Sequence, residues 1–219
     1  MKEKIKKTFK WSLIATAIVV LVAGITIVSY KWYMETQNDG YSYEVYRSRL
    51  ELSAEGNRDD IVTEIDNYID SVAPDSGLNG IKLFQMCEKY NVDVRFVMAQ
   101  AELESHFGTA GVAAKTNSVW NVKAYDGRSA NDMNKKGDGF SHPDHSIEPY
   151  LKLLVGSYLV NDKTESDMFM NFVTAGGKRY ASNPNYESQL LTIYNRINEQ
   201  TNLKSLLEEY RKYRMILGR

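Results

Sequence analysis

The sequence predicts a mainly α-helical domain carried behind an N-terminal membrane-spanning helix. Three observations lead there. Residues 11–30 run from Trp11 to Tyr30 without a charge. Apolar residues recur at helical spacing through most of 59–200, the pattern of helices with one buried face. Between Thr109 and Pro143 that pattern gives way to glycine and asparagine, at Gly111, Asn117, Asn121, Gly127, Asn131, Asn134, Gly137 and Gly139, which reads as loop with one short hairpin.

The N-terminus divides into a basic tail, 1–10, and the apolar run, 11–30. The tail has Lys2, Lys4, Lys6, Lys7 and Lys10 against Glu3. An apolar run of about 20 residues is long enough to span a bilayer, and it exceeds the roughly 7–15 residues of a signal-peptide core. Trp11, Tyr30, Trp32 and Tyr33 suit the two interfaces. A basic tail stays in the cytoplasm, so an uncleaved signal anchor with everything after Lys31 outside is expected. Residues 31–58 read as a stalk, helical from Tyr43 to Ala54.

Asp59 and Asp60 open a helix with Ile61, Val62, Ile65, Tyr68 and Ile69 at helical spacing, and 73–77 break it. A second helix turns Ile81, Phe84, Cys87 and Met86 inward. The third, from Asn91 to Gly108, has almost no polar face and is expected to be buried. Asn91 or Asp93 suits its start and Gly108 its end. Glu104 sits near that end. Burial and the negative end of the helix dipole both disfavour its charged form and raise its pKa, which suits a proton donor near neutral pH. A helix follows with Ile147, Tyr150, Leu151, Leu154 and Tyr158, capped by Ser146 or Asp144. Another covers 167–174 with Met168, Phe169, Phe172 and Val173 inward. Glu187 to Glu199 forms the next, with Leu190, Leu191, Tyr194 and Ile197 on one face. The tail 201–219 continues as a solvated helix.

Composition removes several function classes. Hydrophobic content of 43% with 25% charged residues is that of a globular chain. Net charge is −1 with the basic excess confined to 1–10, so no nucleic-acid partner is expected. The single Cys87 excludes an internal disulfide and fits a small core residue. His106, His142 and His145 lack metalloprotease spacing, and Asp126, Asp132 and Asp138 do not complete a calcium loop. There is no phosphate-binding glycine loop or serine elbow. Neither metal nor cofactor is expected.

The block MAQAELESHFG followed by TNSVWNVKAYDG resembles the core of the glycoside hydrolase family 73 glucosaminidases. The helix motif matches at Ala99, Gln100, Leu103, Glu104, Ser105 and Gly108. The loop pattern Asn-Asn-x-Phe-Gly-Ile falls on Asn117, Ser118, Val119, Trp120, Asn121 and Val122, with Asn121 where the pattern has glycine. Tyr180 to Tyr186 resembles the family's Tyr-Ala-Thr-Asp-Pro-x-Tyr. The likeness spans roughly 78–199. It implies an α+β lysozyme-like domain over 59–200, mainly α with a small β-rich lobe, acting as an endo-β-N-acetylglucosaminidase on peptidoglycan glycan strands outside the membrane. It implies Glu104 as general acid and Tyr180 in the active site, with Gln100, Trp120, Asn121, Tyr125 and Tyr186 along the sugar cleft. Asp144, forty positions after Glu104, is the expected second carboxylate, with Asp126 and Glu148 as competitors. A route assisted by the substrate's N-acetyl group would need none nearby. A muramidase or lytic transglycosylase is the enzymatic alternative, although the Gly-Leu-Met-Gln block of many transglycosylases is missing. A catalytically silent glycan-binding or scaffolding module is the alternative from another class. The sequence names no protein partner.

Overall fold

A computed structural model describes residues 43–122 and 139–218. The basic tail, the apolar run 11–30, the first part of the stalk, and Tyr125 and Asp126 lie outside the described residues. Among the described residues no helix is long and apolar enough to cross a membrane. None of them forms a strand; the β-type pairing present is an isolated antiparallel bridge between Val173 and Arg179. The expected β-rich lobe is therefore not seen, and its centre, 123–138, is not described. Of the described residues, Gly56–Arg211 form one compact unit, and the segments up to Glu55 and from Lys212 form another.

Helix α1 runs unbroken over Tyr43–Val72, where the sequence suggested a stalk helix and a separate helix opening at Asp59. Gly56 and Asn57 lower helix propensity by less than about 1 kcal/mol each, too little to stop a helix whose Ile61, Ile65, Tyr68 and Ile69 are buried. Helix α2 covers Gly80–Tyr90, capped by Asn79, whose side chain accepts from the Ile81 and Lys82 amides, and closed by a left-handed Asn91. Leu83, Phe84 and Cys87 are buried, whereas Ile81, expected inward, is exposed beside the cap.

Asp93 caps α3, Val94–Ser105, by accepting from the Arg95 amide at 2.9 Å. Val94, Phe96, Val97, Met98, Ala99 and Ala101 are all buried, which makes α3 the helix that the others cover. Its C-terminus is turned by three successive residues of positive φ: His106 at 52°, Phe107 at 53° and Gly108 at 86°. Ser105 locks the turn, its hydroxyl donating to Val119 O at 2.5 Å and accepting from the Gly108 amide at 2.8 Å.

The short α4, Ala113–Thr116, leads to a turn through Asn121. After the gap a 3-10 turn, Pro143–Ser146, enters α5, Ile147–Leu153, which ends in a π-helical turn, Leu154–Tyr158. Its expected inward face, from Ile147 to Tyr158, is buried. The helix expected at 167–174 shrinks to α6, Glu165–Met168. The chain then leaves helical geometry to pair Val173 with Arg179, while Met168 and Phe172 still enter the core. Helix α7, Tyr186–Gln200, buries Tyr186, Leu190 and Ile197 and leaves Leu191 exposed. It packs antiparallel on α3, since its start meets Glu104 through Tyr186 and its end meets Arg95 through Asn198.

Helix α8, Leu203–Leu217, was expected to be solvated. Its first half instead buries Leu203 and Leu207, and the Tyr210 hydroxyl donates to Glu88 at 2.7 Å. Gly80 marks a close approach within this unit. Its amide donates to Asp66 at 2.8 Å, and a methyl group at Gly80 would come within 2.8 Å of the Asp66 carboxyl carbon. Gly80→Ala should cost roughly 1–3 kcal/mol in urea unfolding, the range for a displaced buried hydrogen bond with local strain.

Candidate active site

Glu104 stands one residue before the end of α3. Two segments reach its carboxyl. The hydroxyl of Tyr186, first residue of α7, donates to Oε1 at 2.5 Å. From the turn after α4, the Asn121 Nδ2 donates to Oε2 at 3.1 Å and to the Glu104 backbone carbonyl at 2.9 Å. Behind Tyr186, Gln100 donates from Nε2 to the Tyr186 hydroxyl at 3.0 Å and accepts from the Tyr150 hydroxyl of α5 at Oε1. Gln100 is one helical turn before Glu104, so both project from the same side of α3.

Asn121 adopts φ 50°, the left-handed region that asparagine tolerates better than most residues. The turn for which the resembled pattern uses glycine is thus kept, and an amide is added against the carboxyl. The orientation of that amide is forced, because the reverse would set Oδ1 against two acceptor oxygens. It leaves Oδ1 buried without a partner among the described residues, a local cost incurred beside Glu104.

Burial pushes the Glu104 carboxyl above its ordinary 4.5; the hydrogen bonds from Tyr186 and Asn121 pull it down and offset only part of the rise. No charged group contributes among the described residues. Glu102, two positions earlier, meets the opposite environment. It accepts from the Tyr68 hydroxyl at 2.8 Å and pairs with the Arg196 guanidinium.

The other expected site residues divide. Tyr186 touches Glu104 directly. Tyr180 lies beside it, its ring 5.5 Å from that of Tyr186 and stacked on Phe172 at 4.6 Å, with its hydroxyl donating to Trp120 O at 3.3 Å. Burial first, then the Glu104 charge, holds the Tyr180 phenol well above its usual range. Trp120 does not line a sugar cleft. It is buried, stacked on Tyr150 at 4.7 Å, and its indole donates to Val97 O at 3.0 Å. Gln100 is also fully buried, so it contacts Tyr186 and Tyr150 rather than a ligand. Asp144 lies in the 3-10 turn, accepting from the Asn79 amide at 2.9 Å and 3.4 Å from His142; none of these partners belongs to the Glu104 cluster. Glu148 is held ionised, its pKa drawn down to about 2 by Lys89, Tyr90 and Lys152. Tyr150 was read only as a core residue. The signal that would have found it is Gln100 itself, a polar side chain on an apolar helix that requires a buried partner.

This cluster, one desolvated carboxyl ringed by neutral donors, lies inside the match of residues 82–199 to the glucosaminidase family, described as mannosyl-glycoprotein endo-beta-N-acetylglucosaminidase. The chain belongs to that family. The matched segment covers slightly more than half of the chain, and it makes the protein a glycoside hydrolase of the endo-β-N-acetylglucosaminidase type. No curated protein matches the chain.

The raised Glu104 pKa of this glucosaminidase has a consequence for stability. A carboxyl with a raised folded-state pKa binds more protons folded than unfolded. Its stabilising contribution is full below the ordinary 4.5 and is lost as pH rises through the raised value. Glu104→Gln lacks this loss, so in urea unfolding the variant should gain on the parent protein as pH rises from 4.5 towards neutrality. A constant difference across that range would mean that Glu104 titrates normally.

Proposed function

We propose that this glucosaminidase is a membrane-anchored peptidoglycan hydrolase in which Glu104 is the general acid. The observation that carries the assignment is the setting of the Glu104 carboxyl: buried and, among the described residues, without a cation and contacted by hydrogen-bond donors alone. Such a carboxyl holds its proton at a pH where surface carboxylates have lost theirs, and it releases it to an oxygen that becomes basic as a bond breaks. In the reaction the C1–O bond of an N-acetylglucosamine unit breaks, the electron pair stays on the leaving oxygen, and Glu104 supplies its proton. Loss of that bond leaves an oxocarbenium-like centre at C1.

Asp144 and Glu148 have their oxygens engaged elsewhere. Stabilisation of C1 by the substrate's own 2-acetamido oxygen, with water completing hydrolysis, needs neither of them; Asp126, outside the described residues, is the alternative second carboxylate. In this reading Tyr180, beside Tyr186, would contact the sugar, and Asp144 braces the 3-10 turn to Asn79 at the start of α2. The catalytic unit in this reading extends over Gly56–Arg211, beyond the 59–200 expected from sequence, because α8 contributes Leu203 and Leu207 to its core.

Turnover of peptidoglycan by purified full-length protein tests this. Glu104→Gln should lose at least about 10²-fold in kcat, the lower range for general acid catalysis. Glu102→Gln and Asp144→Asn should lose far less. Mass spectrometry of the products should show reducing-end N-acetylglucosamine. Reducing-end N-acetylmuramic acid or its 1,6-anhydro form would instead mean a muramidase or transglycosylase. Near-normal turnover by folded Glu104→Gln would falsify the assignment of the acid.

Anchoring rests on the charge-free run 11–30 and the five lysines before it. Protease added to intact spheroplasts should remove the catalytic unit while leaving 1–10 protected. Protection of the unit until lysis would reverse the orientation.

A further inference from the structure

We propose that Gln100 and Tyr150 are positioning residues that fix the direction of the hydrogen bond between Tyr186 and Glu104, so that the acid's proton is left for the substrate. The proposal rests on the reading of Glu104 as general acid. A tyrosine hydroxyl has one hydrogen to give and can also accept. Beside a protonated carboxyl it therefore has two settings. In one it donates to the carboxyl; in the other it accepts the carboxyl's own hydrogen and holds it.

The chain of contacts selects the first setting. Tyr150 and Gln100 are both fully buried, so each polar atom needs a partner inside the protein. The Tyr150 hydroxyl donates to Gln100 Oε1. That turns the Gln100 Nε2 towards Tyr186, to whose oxygen it donates at 3.0 Å. With its oxygen engaged, Tyr186 directs its hydrogen to Glu104 Oε1. Asn121 does the same from the other side, its Nδ2 held towards Oε2 by the Glu104 carbonyl. Glu104 is thus met by donors on both oxygens, and its proton is carried on the side that neither occupies.

Among the described residues, the titratable groups facing Glu104 are Tyr186 of α7, Tyr180 of the preceding loop and Tyr150 of α5. Burial raises all three phenols well above their usual range, so they stay neutral while Glu104 titrates. A change in the alkaline limb of activity then reports Glu104 and the hydrogen bonds made to it.

Gln100→Met is the decisive variant. It keeps the length of the side chain, removes the donor facing Tyr186 and adds no titratable group. The Tyr186 oxygen is then free to take the carboxyl's own hydrogen, and Glu104 loses a donor that favoured its charged form. We expect a fall in kcat of at least about tenfold, with KM little changed and the alkaline limb moved to higher pH. Tyr150→Phe removes only the hydroxyl that orients Gln100 and should move kcat and the limb in the same directions by less. It carries the test alone if Gln100→Met fails to fold by circular dichroism. A merely structural role would lower the melting temperature and leave the limb in place. An unmoved limb with normal kcat in the folded variants, beside an inactive Glu104→Gln, overturns the relay and leaves the acid standing. Normal turnover by Glu104→Gln overturns both.

Discussion

The site depends on one constraint: the carboxyl of Glu104 has to sit at the end of a helix that the protein covers on nearly every side. Because Val94 through Ala101 are buried, α3 needs α2, α5 and α7 around it, and those helices then hold polar groups at fixed heights along it. Its C-terminal turn is part of the same constraint. Phe107 is fully buried at positive φ, a strained arrangement for a bulky residue. Anchored inward there, Phe107 reverses the chain immediately after Ser105. Ser105 in turn bonds Val119, which brings Asn121 back over Glu104.

Much of this was legible in the sequence, and the gaps follow a physical pattern. The helix carrying Glu104 could be read because apolar spacing is a local property. The role of an aromatic ring could not. Trp120 and Tyr186 are both large rings with a polar edge, and only the surrounding packing sends the indole to Val97 O and the phenol to Glu104. Asp144 was picked by its separation from Glu104 in the chain, which says nothing about a partner such as the Asn79 amide, 65 residues away. Helix boundaries failed where tertiary structure outweighed local signals: packing carried α1 through Gly56, and the pairing of Val173 with Arg179 accompanies the early end of α6. Ile81 and Leu191 fit an apolar face by periodicity, yet each sits at its edge and remains exposed.

Glu102 and Glu104 show how one helix sets two carboxyl groups in different surroundings. They are about 200° apart around the axis, so each meets a different neighbour. Glu102 faces the Arg196 guanidinium and the Tyr68 hydroxyl, contacts that tie α3 to α1 and α7. Glu104 faces the start of α7, where the chain presents a tyrosine and no cation. The difference follows from the antiparallel packing of α3 and α7, which decides which residue of α7 stands beside each carboxylate.

The absence of a cation beside Glu104 among the described residues bears on the whole of the proposed reaction cycle as well as on its first step. Glu148 shows the alternative: with Lys89 and Lys152 beside it, a glutamate in the same protein is drawn down to about 2. A general acid in that setting would be ionised before any substrate arrived. A carboxyl with no donors at all would fail in the opposite way, since a bare buried anion is too costly to form once the proton has been given up. Tyr186 and Asn121 supply an intermediate environment. Neutral donors stabilise the carboxylate left after proton transfer, yet they lower its proton affinity less than a full positive charge would. In the proposed reaction Glu104 can therefore give up its proton and later recover one from the water that completes hydrolysis.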